Sequence, residues 1–370
     1  MIWYIRKSKR KERIMKQNLK TIFIGTVFFA LCIFAALYNN RNQNQEEKME
    51  RYTASFFGVF DTKTDIIGYS TDKEVFTEQV AALKEKLEHY HRLFDIYNDY
   101  EGINNIKTIN DNAGVSPVVV DADIIALLKL SKEMYKQTNG QMNVAMGSVL
   151  KIWHDYREEA SDNPTEAKVP PMDMLEEANE HTNIENIIID EEASMVYLAD
   201  AKMSIDVGSI GKGYAVERMA EYAKEIGMTS ALLSVGGNIC AVGTKYDGSK
   251  WKVGIQNPDT SSKDAHVEMV QIADVSVVTS GDYQRYYMVD GERYCHIIDG
   301  DTLMPASYFT SVSVILKDSG VADALSTSVF NMPFEEGLAF VNGLEGVEAI
   351  WVLHDGSLKY SDGFDKYIAK

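Results

Sequence analysis

Cysteine is scarce. The 370 residues hold three, Cys32, Cys240 and Cys295, which excludes a disulfide framework. Only two of them lie beyond the first forty residues, and small buried thiols account for them better than a bridge does. Proline is also scarce, at seven, and no Pro/Gly-rich stretch is long enough for a flexible linker. Positive charge is missing from most of the chain. The net charge is −18, but residues 1–20 carry eight Lys/Arg and one Glu, so the other 350 residues sum to −25. A body that acidic repels a phosphate backbone and makes a poor nucleic-acid binder. No Gly-x-Ser-x-Gly elbow exists to support a serine hydrolase. No repeat of 20–50 residues is visible, which argues against a solenoid. What is present is ordinary globular composition, 45% hydrophobic and 25% charged, which rules out a disordered or fibrous chain.

The N-terminus carries the first positive signal. Arg6, Lys7, Lys9, Arg10, Lys11, Arg13, Lys16 and Lys20 precede an uncharged stretch from Thr21 to Tyr38. Eighteen residues span about 27 Å as a helix, near the thickness of a bilayer's hydrocarbon core. The basic flank predicts a cytoplasmic N-terminal side, which places the rest of the chain outside. The expectation is a basic cytoplasmic segment over 1–20, a transmembrane or signal-anchor helix over 21–38, a polar tether over 39–52 and a folded body over 53–370. This reads as a single-pass protein of the cell membrane. No clean cleavage site follows the apolar run, so an uncleaved anchor is favoured over a signal peptide.

Within the body, Val80, Leu83, Leu87, Tyr90 and Phe94 recur at helical spacing. Further helices are predicted from Asp121 or Asp123 to before Gly140, from Gly211 to Gly227, and over Val321–Asn331. Strand-like runs lie between them, at Ile187–Ile189, Met195–Leu198, Ser230–Val235, Trp251–Ile255, Val275–Val278 and Ser311–Leu316. Asp290-Gly291 and Asp355-Gly356 read as hairpin turns. Hairpins mixed with helical crossovers predict an α+β fold with mixed or antiparallel sheets and packed helices.

Four places can carry chemistry. The run Asp206-Val207-Gly208-Ser209-Ile210-Gly211-Lys212-Gly213 joins a strand to a helix. Its glycines permit close backbone approach, the helix N-terminus suits an anion, and Lys212 adds positive charge. Its spacing fits neither a Walker A loop nor a dinucleotide fingerprint. Gly236-Gly237, inside strand sequence, marks either a turn or a ligand contact. Asp323 and Thr327 stand i and i+4 on one helix face. They offer a carboxylate and a hydroxyl that suit Mg²⁺, or else a capped helix start. Finally His296, with Asp282 or Asp299 to orient it, is a candidate general acid or base. His89 and His91 sit two apart on a helix and do not form a metal pair.

These segments, in this order, resemble the ApbE family of FAD:protein FMN transferases. Asp206–Val216, Leu233–Ile239, Trp251–Pro258, Thr279–Tyr286, His296–Pro305 and Ala322–Thr327 each match a family stretch, and the likeness covers roughly Phe56 to Met332. The resemblance implies an ApbE-like flavin transferase body that takes FAD as substrate. Mg²⁺ would bridge the FAD phosphates, and the FMN half would move to a Thr or Ser hydroxyl of an acceptor protein, releasing AMP. By the same resemblance Asp323, Thr327 and the Ser209 carbonyl would hold the metal. Phe57, Tyr97, Gln141, Met142, Asn143, Asp206, Lys212 and Ile298 would contact FAD. From the residues themselves, His296 or an acidic neighbour, Asp282, is expected to be catalytic and to take the proton from the acceptor hydroxyl. The acceptor would be a redox protein at the extracytoplasmic membrane face. The sequence departs from the family at Gly300 and Leu303, where Pro and Gly are usual, and at Phe57-Gly58-Val59 and Met142-Asn143. Two alternatives stay open. One is a Mg²⁺-dependent FAD pyrophosphatase giving FMN and AMP. The other is a flavin-binding surface protein without turnover.

Overall fold

Apolar runs become central strands in the computed structural model, which describes residues 49–369. Eight strands form one sheet in the order Glu50–Val59, Thr62–Ser70, Ala231–Val235, Asn238–Val242, Ser276–Gly281, Ser311–Leu316, Glu348–Val352, Leu358–Tyr360. From Thr62–Ser70 onward each neighbouring pair is antiparallel. The α+β reading with antiparallel pairing therefore holds.

Alternation along these strands divides their side chains between two cores, as the pleat requires. Cys240, Val242, Val278, Val312, Val314, Ala349 and Trp351 face one cluster. Ala241, Val277, Ile315 and Ile350 face the other. Both faces are buried, so the segments read as continuous apolar runs. The first face is covered by helices. Ser319–Phe330 lies on the strands Ser276–Gly281 and Ser311–Leu316 and against the helix Gly211–Glu225, which in turn packs on Lys73–Phe94. The second face is covered by the hairpin Trp251–Gln256/His266–Ile272 and by Phe364. A third cluster joins the helix Gly147–Asp162 to the hairpin Tyr286–Val289/Glu292–Cys295. There Trp153 donates its ring N–H to the Leu303 carbonyl at 2.9 Å and stacks on Tyr294.

Turn chemistry sets the registers. Asp290 and Gly291 have φ of 50° and 88°, and Gly236 and Gly237 have 53° and 92°. Both pairs close two-residue hairpins of the type that needs positive φ at each centre. Helix Ala122–Gln137 begins at its Asp121 cap, whose carboxylate accepts from the Asp123 N–H. Cys240 and Cys295 are free and buried.

The basic segment 1–20, the apolar run 21–38 and residues 39–48 of the polar stretch lie outside the described residues. The first strand starts at Glu50, inside the stretch read from its polar composition as a tether. Among the described residues no helix is long and apolar enough to cross a membrane.

Candidate active site

The helix Gly211–Glu225 can approach Ser319–Phe330 closely because Gly213 has no side chain. A Cβ there would stand 2.3 Å from the Ser319 carbonyl oxygen and 2.5 Å from Asp323 Cβ. This contact lets the Gly213 N–H donate to Asp323 Oδ2 at 2.7 Å. Asp323 is 4% exposed, and burial pushes its carboxyl pKa up against the opposing pull of Lys212, the Gly213 N–H and Asn238. Lys212 Nζ lies 3.8 Å from Asp323 Oδ1 and donates to Asn238 Oδ1 at 3.2 Å. One turn further along, the Thr327 hydroxyl is 3.5 Å from that of Ser280, on the neighbouring strand.

The turn before the helix is pinned by Asp206. Its N–H donates to the Val144 carbonyl, and its carboxylate accepts the Gly208 N–H at 2.8 Å. Burial raises the Asp206 pKa, with His154, Arg285 and Arg157 pulling the other way. Ser209 sits in this turn.

A cavity of about 510 Å³ opens over these residues. Tyr97, Gln141, Met142, Asn143, Asp206, Ser209, Lys212, His296, Ile298, Asp323 and Thr327 all line it, so eleven of the thirteen sequence candidates meet in one place. Phe57 and Asp282 are not among its lining residues. Phe57 is 72% exposed on the strand Glu50–Val59, and Asp282 is bound to Arg293 at 2.9 Å. Asn143 lines the cavity, but its amide serves the fold, donating to Thr182 and accepting from the Ala145 N–H.

His296 is oriented by backbone. Its Nδ1 lies 3.2 Å from the Arg285 carbonyl, which can only accept, so Nδ1 carries the proton and Nε2 keeps a free lone pair. Burial, then the nearby Arg285 and Arg157, lower its pKa to about 3. Arg157 donates to His154 Nδ1 at 2.8 Å, and the His154 ring lies 5.2 Å from that of Tyr97. The sequence reading singled out neither His154 nor Arg157. Both sit on the helix Gly147–Asp162, and neither belongs to a motif with a chemistry of its own. His91 also lines the cavity and accepts from the Phe60 N–H, whereas His89 points to Asp121 at 3.7 Å.

The ApbE family pattern matches residues 60–351. The chain belongs to the ApbE family. A relative from Treponema pallidum named FAD:protein FMN transferase is 34% identical over 273 residues, covering 70% of this chain and 73% of the relative. One of the same name from Klebsiella pneumoniae is 29% identical over 273 residues, covering 70% of this chain and 81% of the relative. The crystal structure of an ApbE protein from Thermotoga maritima superposes with a TM-score of 0.77 at 27% identity, over 87% of this chain and all of that one. Against the usual ApbE pattern, Leu303 takes the place of a glycine yet keeps a left-handed φ of 59°. Its side chain is 5% exposed, and its backbone is held by the Asp299 carbonyl and the Trp153 ring N–H. Packing and two hydrogen bonds thus hold a conformation that costs an L-residue about 1–2 kcal/mol.

Proposed function

We propose that this chain transfers the FMN moiety of FAD to a Ser or Thr hydroxyl of an acceptor protein and releases AMP. The observation that carries the reading is the meeting, in one cavity, of the Asp323 carboxylate and Thr327 hydroxyl with Lys212 and His296. The relatives' names set the reaction class.

Transfer forms a bond between the acceptor oxygen and the FMN phosphorus. It breaks the phosphoanhydride bond, and the bridging oxygen leaves with AMP. Positioning and charge stabilisation dominate such chemistry. Lys212 binds a phosphate oxygen from its place beside Asn238. The Nε2 lone pair of His296 takes the hydroxyl proton. The Gly208, Gly211 and Gly213 N–H groups are taken by Asp206, the Val207 carbonyl and Asp323, so the start of the Gly211–Glu225 helix serves the diphosphate through the positive end of its dipole.

The donor set fits a hard divalent cation. Asp323 is a buried carboxylate whose nearest cation stands 3.8 Å away, and Thr327 adds a hydroxyl one turn on. Asp323, Thr327 and the Ser209 carbonyl would hold Mg²⁺, which supplies neutralisation of the diphosphate and of the departing AMP.

We further infer, from the basic flank and uncharged run, that segment 21–38 anchors the chain and that the acceptor is met at the extracytoplasmic face, and, from the redox chemistry of a covalently held flavin, that the acceptor is a redox protein. Protease treatment of intact spheroplasts should digest the body. Full protection would reverse the orientation.

Mass spectrometry of a candidate acceptor, after incubation with the full chain, FAD and Mg²⁺, tests the activity. The expected result is one covalent FMN per acceptor with stoichiometric AMP. Release of free FMN and AMP with an unmodified acceptor would assign a pyrophosphatase. Intact bound FAD without AMP would assign a carrier.

A further inference from the structure

The helix Gly147–Asp162 brings to the cavity wall a cation that the fold leaves poorly paired. Arg157 lines the cavity, and its side chain is 18% exposed. Among the described residues its carboxylate partner is the adjacent Glu158, which stands 4.0 Å from Nε and is 63% exposed to water. Arginines this far removed from solvent are normally paired with an anion. Arg285, the other arginine on this wall, is exposed, so water can solvate its charge. Arg157 has less of that compensation.

His154 holds Arg157 without neutralising it. The two stand i and i+3 on one helix face, and a terminal nitrogen of Arg157 donates to His154 Nδ1 at 2.8 Å. An imidazole lone pair accepts the bond but brings no negative charge, and the bond occupies one of the guanidinium's five N–H groups. The charge bears on the cavity. It pulls down the pKa of His296, Asp206 and Tyr97, cavity-lining groups from three separate segments. His296 is the proposed base, so the phosphorus it serves lies beside it and within reach of the same charge.

We propose that Arg157 donates to a phosphate oxygen of FAD, its guanidinium held at the cavity wall by His154. The inference rests on reading the cavity as an FAD site. It adds a phosphate contact from a helix separate from those that carry Lys212 and Asp323. A guanidinium can meet two oxygens of one phosphate through parallel N–H groups, whereas an ammonium acts as a point charge. A lysine at this position therefore keeps part of the contact, and a neutral side chain keeps none of its charge.

The test is titration of the full chain with FAD, and with inorganic pyrophosphate in competition, in EDTA so that the chain's own cations act alone. Arg157→Gln can still donate to His154 but carries no charge, and Arg157→Lys can donate and keeps it. The Gln variant should bind both ligands about tenfold or more weakly than the wild type, and the Lys variant should recover about fivefold of that loss for both. If Arg157→Gln fails to melt cooperatively, Arg157→Met is read in its place. Equal losses in the neutral and Lys variants would mean that Arg157 acts only by bracing its helix through His154. Undiminished FAD affinity, a loss for FAD with pyrophosphate unaffected, or pyrophosphate that does not displace FAD from the wild type would place the guanidinium away from the phosphates. Each of these results overturns the proposal and leaves the FAD reading intact. No binding of FAD by the folded wild type overturns both.

Discussion

Asp323→Asn separates chemistry from folding at the centre of the site. In the folded chain Asp323 Oδ2 accepts the Gly213 N–H at 2.7 Å, and an amide oxygen can accept the same bond. Lys212 loses a partner 3.8 Å away but keeps Asn238 at 3.2 Å. A buried carboxylate is itself costly, as its raised pKa shows, so removing the charge relieves that cost while the hydrogen bond is kept. Asp323→Ala would leave the Gly213 N–H buried without an acceptor, at about 1–3 kcal/mol, and would confuse the two effects. The chemistry should respond very differently. A cation at a phosphoryl centre supplies several kcal/mol of charge stabilisation, and losing about 4 kcal/mol slows transfer about 10³-fold. Two assays are read together. Flavinylation of the acceptor is followed at saturating FAD across a Mg²⁺ titration. Melting is followed with and without Mg²⁺, where a ligand at 100 times its Kd adds about 2.7 kcal/mol to the wild type. The expected variant melts like the metal-free wild type, gains nothing from Mg²⁺ and transfers flavin about 10³-fold more slowly. Transfer within tenfold of wild type, or an undiminished Mg²⁺-induced shift in Tm, would refute the assignment of Asp323 as a ligand.

Lys212→Met should weaken FAD binding about tenfold to a hundredfold, since a charge-assisted bond to phosphate contributes about 1.5–3 kcal/mol, and unchanged affinity by fluorescence titration would dismiss the contact. Gly213→Ala should destabilise the body by about 1–3 kcal/mol in urea, because the Ser319 backbone and Asp323 Cβ stand 2.3 and 2.5 Å from the new carbon; a neutral result would mean that the two helices part freely. His296 is held neutral in the fold, with its pKa lowered to about 3, whereas an unfolded histidine titrates near 6.5. Between those values the unfolded chain binds the extra proton, so stability falls as pH drops through that window. His296→Gln should lose less stability between pH 7 and pH 4.5 than the wild type, and equal losses would contradict the depressed pKa. In the wild type, saturating FAD should raise the His296 pKa in an NMR titration, and an unchanged midpoint would place the diphosphate away from it.

The elements legible in the sequence are those whose burial is recorded locally. Ser311–Leu316 and Ala231–Val235 are apolar because both faces of the sheet are covered, and Lys73–Phe94 shows its stripe because one face alone is buried. The strand Glu50–Val59 has only Val59 fully buried, and it begins in polar sequence, so nothing local announces it. The site divides in the same way. Asp206 to Gly213 and Asp323 with Thr327 are contiguous or one turn apart, and each pattern has a chemistry of its own. Arg157 acquires meaning only when distant segments arrive and its charge comes to face His296.

The charge distribution explains why the base and the substrate belong together. Outside its first twenty residues the chain carries a net −25, yet Lys212, Arg157 and Arg285 line the cavity. They are poorly neutralised there. Arg285 forms no ion pair among the described residues, the carboxylate paired with Arg157 stands at 4.0 Å, and Lys212 stands 3.8 Å from Asp323. Asp61, Asp95, Asp206 and Asp323 line the same cavity, so the three cations mark places on its wall where phosphate oxygens can sit and do not make the wall positive as a whole. Arg285, Arg157 and Lys212 also oppose protonation of His296, after burial itself. A diphosphate seated among them cancels that opposition and raises the proton affinity of Nε2. On the proposed reading a seated diphosphate makes Nε2 a better proton acceptor than it is in the cavity without one, while the burial that is the largest cause of its lowered pKa remains.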